Sequence, residues 1–124
     1  MGMKDPSRDS RQIKYTKAFE AEFDAFLASS EGQRFRYRTD AFAAILVAGC
    51  AVTANESARQ HLADYQSSPA SARLRTNISV TKALAATIDT RFSPISRIIE
   101  EKYFMAMCLG LESVLGRPLR AVQA

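Results

Sequence analysis

Four polar residues recur at every second position of Arg73-Leu-Arg-Thr-Asn-Ile-Ser-Val80: Arg73, Arg75, Asn77 and Ser79. A guanidinium donates paired hydrogen bonds, a carboxamide donates and accepts at once, and a hydroxyl takes either role. Such a row is equipped to recognise a partner rather than to break a bond. A second row runs through Arg11-Gln-Ile-Lys-Tyr-Thr16, where Gln12, Lys14 and Thr16 alternate with Ile13 and Tyr15.

Residues for catalysis are scarce by comparison. The chain has no Gly-rich phosphate loop, no Cys-x-x-Cys, no His-Glu-x-x-His and no Gly-x-Ser-x-Gly, and its single histidine, His61, leaves little acid-base chemistry. Glu100 and Glu101 are adjacent on an expected helix and point apart. Cys50 and Cys108 each sit in an apolar segment, which predicts buried reduced thiols rather than a disulfide or a metal site. Neither a catalytic residue, nor a cofactor, nor a metal is expected, and His61 beside Leu62 reads as a surface or partly buried residue.

Charge is polarised along the chain. Residues 1–17 carry Lys4, Arg8, Arg11, Lys14 and Lys17; residues 34–38 carry Arg34, Arg36 and Arg38; residues 73–82 carry Arg73, Arg75 and Lys82. Those stretches sum to +9 and the remainder to −5, against a net charge of +4. Brought together by folding they would make a basic face suited to a polyanion; pointing different ways they would be three solvated segments. With 124 residues, 47% hydrophobic and 24% charged, the composition is that of one compact domain over 1–124. No apolar run approaches the roughly 20 residues of a membrane span, and MGMKDPSRDSR lacks an apolar secretion signal, so a soluble cytoplasmic protein without membrane contact is expected.

Certain elements must hold these rows in place. Alternation over 73–80 puts Leu74, Thr76, Ile78 and Val80 on one side of a short strand. The period then changes: Leu84, Ile88 and Phe92 recur every fourth residue, with Thr81 as N-cap of a helix running to about Arg91. Ser93-Pro94 predicts a second helix start, and that helix, rich in Ile, Phe and Met, should stop near Gly116 ahead of Pro118. The first half repeats the pattern more weakly. A strand over 11–16 precedes Phe19, Phe23 and Leu27 at the same spacing, and Thr39-Asp-Ala-Phe42 opens a second apolar helix. Asn55 to Tyr65 reads as a further short helix and 66–71 as a linker. Arg34-Phe-Arg-Tyr-Arg-Thr39 also alternates and competes for the place of first strand.

RTNISVTKALAATIDTRFSPISRIIE, a strand followed by two helices, resembles the ribbon-helix-helix family of DNA-binding proteins over residues 73 to about 115. The resemblance implies a mostly α fold with a short two-stranded antiparallel β-ribbon. With the repeat, it implies a tandem pseudo-dimer in one chain: a first unit over 10–54, a helical extension and linker over 55–72, and a second unit over 73–116. In the family the ribbon enters the major groove of double-stranded DNA, where Arg pairs with guanine and Asn or Gln with adenine. The base-reading positions implied here are Gln12, Lys14, Thr16 (or residue 10 in its place), Arg73, Arg75, Asn77 and Ser79. The starts of the second helices, around Arg38 to Thr39 and Ser93 to Ser96, would meet phosphates, with Pro94 donating no N–H. Lys17, Arg36, Arg38, Lys82 and the basic N-terminus are further phosphate candidates.

Tandem chains of this kind look like accessory proteins of bacterial conjugation and T-DNA processing, which implies a relaxase or other protein partner; a transcriptional repressor is the neighbouring role. The chain would be a monomeric pseudo-dimer, or a homodimer if only the second unit forms a ribbon. The alternative class is a helical protein-interaction module, antitoxin-like or an adaptor, without specific DNA binding.

Overall fold

Two eight-residue strands pair in a computed structural model that describes residues 7–119: β1 (Arg8–Tyr15) and β2 (Leu74–Thr81) form an antiparallel ribbon. Their register sets Gln12 opposite Asn77 at the centre, Tyr15 opposite Leu74 at one end and Arg8 opposite Thr81 at the other. Each strand leads within a residue or two into a helix, α1 (Lys17–Ala28) after β1 and α4 (Lys82–Phe92) after β2. A second helix follows each, α2 (Arg38–Cys50) and α5 (Ile99–Leu115), while α3 (Asn55–Ser67) lies between the two series. The fold is mostly helical with one small antiparallel sheet, and the order strand, helix, helix occurs twice.

Local chemistry explains where α1 and α4 begin. Thr16 and Thr81 both hold extended backbone, and each hydroxyl accepts an amide three residues on, from Phe19 at 3.1 Å and from Leu84 at 3.0 Å. A threonine here satisfies a donor that the first helical turn cannot. Replacing either with alanine should lower stability by about 1 kcal/mol, and the double variant by nearly the sum, since the caps lie at opposite ends of the ribbon. Urea denaturation of the three variants checks this.

The underside of the ribbon is apolar where the strands face the helices: Ile13, Tyr15, Ile78 and Val80 are all buried. Beneath Tyr15 lies an aromatic cluster in which Phe23 and Phe42 stack at 4.2 Å and Phe19 meets Phe104 edge-on. Helix α5 runs through the middle. Every residue from Glu101 to Leu111 is buried, as the breadth of its apolar surface requires. It crosses α2 with almost no space between backbones: a β-carbon added at Gly49 would stand 1.9 Å from the Ala106 carbonyl oxygen, and one at Gly110 1.8 Å from that of Ile45. Each glycine thus faces the residue one turn before the other glycine.

Three sequence expectations need correction. The first strand takes the 11–16 place rather than the competing 34–39 one, with bounds that shift to Arg8–Tyr15. Residues 34–39 instead pass from a 3-10 turn, Gly32–Arg34, into α2. The third concerns Ser93-Pro94, which opens no helix. Ser93 closes α4, its amide and hydroxyl both donating to the Asp89 carbonyl, and the amides of Ile95 and Ser96 return to the Phe92 carbonyl in a tight turn. Pro94 has no amide to satisfy there. Helix α5 starts at Ile99 and stops at Gly116, whose φ of 71° is the left-handed cap that glycine adopts without strain.

Candidate nucleic-acid interface

Because side chains alternate across a strand, the ribbon register decides which residues share its outer face. Four cross-strand pairs do: Arg8 with Thr81, Ser10 with Ser79, Gln12 with Asn77, and Lys14 with Arg75. All are exposed except Lys14, which is half-buried. Opposite residues of an antiparallel pair stand only about 5 Å apart at Cβ, so the two amides at the centre and the two cations at one end act as adjoining groups. Arg75, Asn77 and Gln12 have no side-chain hydrogen bond or ion pair among the described residues.

Five of the seven residues expected to read bases therefore lie on this face: Gln12, Lys14, Arg75, Asn77 and Ser79. Residue 10, not Thr16, completes the β1 row. Thr16 lies beyond the strand and its hydroxyl caps α1, as described above. Arg73 also lies beyond the ribbon, which starts at Leu74. Its guanidinium stacks 4.0 Å over the Tyr65 ring, donates to the carbonyls of Tyr65 and Ser68, and approaches Glu100 at 3.8 Å. The side chain holds α3 to the ribbon end, a side-chain contact that strand alternation could not disclose.

Two further residues shape this face and lie outside the expected set. Arg8 extends the outer row, lying across the partner strand with Nε 2.9 Å from Ser79 Oγ and Nη2 2.9 Å from the Ser79 carbonyl. Its phase with Ser10, Gln12 and Lys14 was the available signal. Glu100 is the second. At the start of α5 its carboxylate accepts from the Tyr65 hydroxyl, stands 3.4 Å from Lys14 Nζ and faces Arg73. The Tyr65 bond, helped by these cations, holds its pKa below the usual carboxylate value. Glu100 thus draws Lys14 toward the protein and leaves Arg75 as the outward cation at that end.

The phosphate candidates divide similarly. Lys17 and Lys82 are exposed first residues of α1 and α4, one at each end of the ribbon. Arg36 is exposed, with its guanidinium 5.3 Å over the Tyr37 ring. Arg38, by contrast, is turned onto α1, with Nη1 2.6 Å from Asp24 and Nη2 3.5 Å from Glu20, and lies over the rings of Phe23 and Phe42. Thr39 is exposed in the first turn of α2, next to Asp40. Neither Ser93 nor Ser96 stands at a helix start. The Ser93 hydroxyl also accepts from Lys102 Nζ at 3.1 Å, while Ser96 accepts from the Ile98 amide and donates to Glu101. Glu100 and Glu101 in the first turn of α5 oppose an approaching phosphate. Lys4 and the rest of 1–6 lie outside the described residues.

At the Tyr15–Leu74 end of the ribbon, α1, α3 and α5 line a cleft of about 760 Å³ that includes Thr16, Lys17, His61, Cys108 and Glu112. His61 Nε2 lies 3.0 Å from Glu112. Burial pushes the Cys108 thiol well above its ordinary pKa, the reverse of what a nucleophile needs. No group of three or more His, Cys, Asp or Glu among the described residues is placed to hold a metal ion, and no helix among them is long and apolar enough to cross a membrane. Comparison with known protein families, with curated proteins and with solved structures gives no match.

Proposed function

We propose that this chain is a sequence-specific double-stranded DNA-binding protein that reads the major groove with its ribbon, and that its two strand-helix-helix series are the halves of a ribbon-helix-helix pseudo-dimer. The observation that carries the reading is the outer face of the ribbon, where Gln12, Asn77 and Arg75 stand together without internal partners among the described residues. A carboxamide matches N6 and N7 of adenine, and a guanidinium matches O6 and N7 of guanine. A polar face with free bidentate groups, flanked at both ends by Lys17 and Lys82, suits a groove walled by phosphates. The matching threonine caps and the central pairing of Gln12 with Asn77 support the pseudo-dimer.

Selection of bound duplexes from a random pool tests this directly. The enriched site should be an imperfect palindrome, because Lys14 and Arg75 occupy one end of the face and Ser10 and Ser79 the other side of its centre. Affinity for that site should fall linearly in log K against log salt, with a slope of about −0.9 per phosphate engaged. Absence of enrichment, or binding that ignores salt, would overturn the reading. It would favour instead a protein partner for the exposed Tyr37, Val47, Ile98 and Ile99. Occupancy of a specific site serves either repression of a promoter or recruitment of a relaxase to an origin of transfer, and retention of a relaxase on the selected duplex distinguishes them.

A further inference from the structure

A second, smaller cavity of about 340 Å³ opens beneath the ribbon between β1, α4 and α5. Its polar lining comes from Asp9 and Arg11 on the inward side of β1, Lys82 and Asp89 on α4, and Lys102 and Tyr103 on α5. Inward positions of a strand ordinarily fill a core, as Ile13 and Tyr15 do at the other end of β1. Here Ala85 and Ala86 leave room that no side chain occupies.

The acids of this cavity are already matched. Asp89 holds Lys102 Nζ at 2.5 Å, and Asp9 lies 3.8 Å from Arg11. What remains without a partner is a set of donors. Tyr103 is 3% exposed and its hydroxyl has no hydrogen-bond partner among the described residues; Arg11 Nε is buried and equally unpartnered. Arg11 is near enough to restrain the rise in the Tyr103 pKa caused by burial, although no hydrogen bond of ordinary geometry joins them. Lys82 Nζ, at the same cavity, has no ion pair among the described residues. Lys82 is exposed and adds only charge, but buried polar groups are nearly always satisfied, so the two buried orphans, Arg11 Nε and the Tyr103 hydroxyl, on residues that line one unfilled space indicate an absent acceptor.

We propose that this cavity binds a small organic carboxylate, its oxygens accepting from Arg11 Nε and the Tyr103 hydroxyl and its short apolar body lying against Ala85, Ala86 and Ile99. The lining cations Arg11, Lys82 and Lys102 outnumber the acids Asp9 and Asp89, which selects an anion. The alanine and isoleucine walls select a carboxylate with a hydrocarbon body over inorganic phosphate. The site shares Lys82 with the DNA reading, but its two orphan donors, Arg11 Nε and the Tyr103 hydroxyl, lie on the inward side of β1 and on α5, so the variants below leave every outward group in place.

Titration of the full chain with propionate, inorganic phosphate or methylammonium, followed by the arginine Nε–H signals in a nitrogen-15 correlation spectrum, tests the assignment. Propionate should shift the Arg11 signal saturably, and methylammonium should not. Tyr103→Phe keeps the ring and removes the orphan hydroxyl, so it should fold normally yet weaken propionate about tenfold or more. Arg11→Lys, which retains the charge without the Nε–H, should weaken it similarly, read by the thermal midpoint. Saturation by phosphate as tight as by propionate would overturn the carboxylate assignment. No saturable response, or one unchanged in both variants, would overturn the site.

Discussion

Gly110→Ala and Gly49→Ala should each destabilise the protein by about 3 kcal/mol or more, and the double variant should fail to give a cooperative unfolding transition. The new methyl groups would meet the carbonyls of Ile45 and Ala106 at 1.8 and 1.9 Å, and those atoms belong to helix backbone that no rotamer change can move. Helices α2 and α5 would have to separate, loosening the contacts of Ile45, Leu46 and the buried run Glu101–Leu111 together. Overpacking a close-packed interior costs roughly 1–3 kcal/mol even where side chains can adjust. Against a total stability of about 5–15 kcal/mol, two such losses approach the whole. Guanidinium denaturation followed by far-UV circular dichroism measures both, and wild-type midpoints in the single variants would refute so close a crossing.

Arg75→Ala and Lys82→Ala should weaken DNA binding in different ways. If Arg75 takes a guanine through both donors, its loss should remove about 1–3 kcal/mol of discrimination at one base position and leave non-specific binding nearly unchanged. Lys82 stands at the ribbon end where a phosphate would lie, so its removal should weaken all duplexes alike and make the salt slope shallower by about one. Competition binding of each variant against a set of single-base substitutions in the selected site separates the outcomes. Equal, sequence-blind losses from the two would remove base reading from Arg75.

Where local chemistry decides the structure, the sequence was legible. Alternation placed Ile13, Tyr15, Ile78 and Val80 inward and Gln12, Lys14, Arg75, Asn77 and Ser79 outward, and Thr81 and Gly116 mark helix ends because their backbone roles depend on near neighbours alone. The misread parts have non-local causes. The first three residues of β1, Arg8 to Ser10, look like a polar tail because the inward one of them, Asp9, faces a polar cavity instead of a core. Ser93-Pro94 is a good helix opening in isolation, but the Ser93 hydroxyl is claimed by the helix behind it and by Lys102. Arg73 fits the strand pattern, yet its guanidinium is captured by Tyr65, eight residues back. Glu100 gains its place near the interface only when α5 docks beneath β1.

Both strands of the ribbon belong to one polypeptide, joined through residues 16–73. Its assembly is consequently first order: dilution cannot dissolve it, and a cell making only a handful of copies possesses as many finished ribbons as molecules. On the DNA-binding reading proposed above, with one chain as the binding unit, dose would enter occupancy of a target to the first power, where a protein assembled from two separate chains would respond to the square. The same linkage lets each strand change its outward residues without imposing the change on the other.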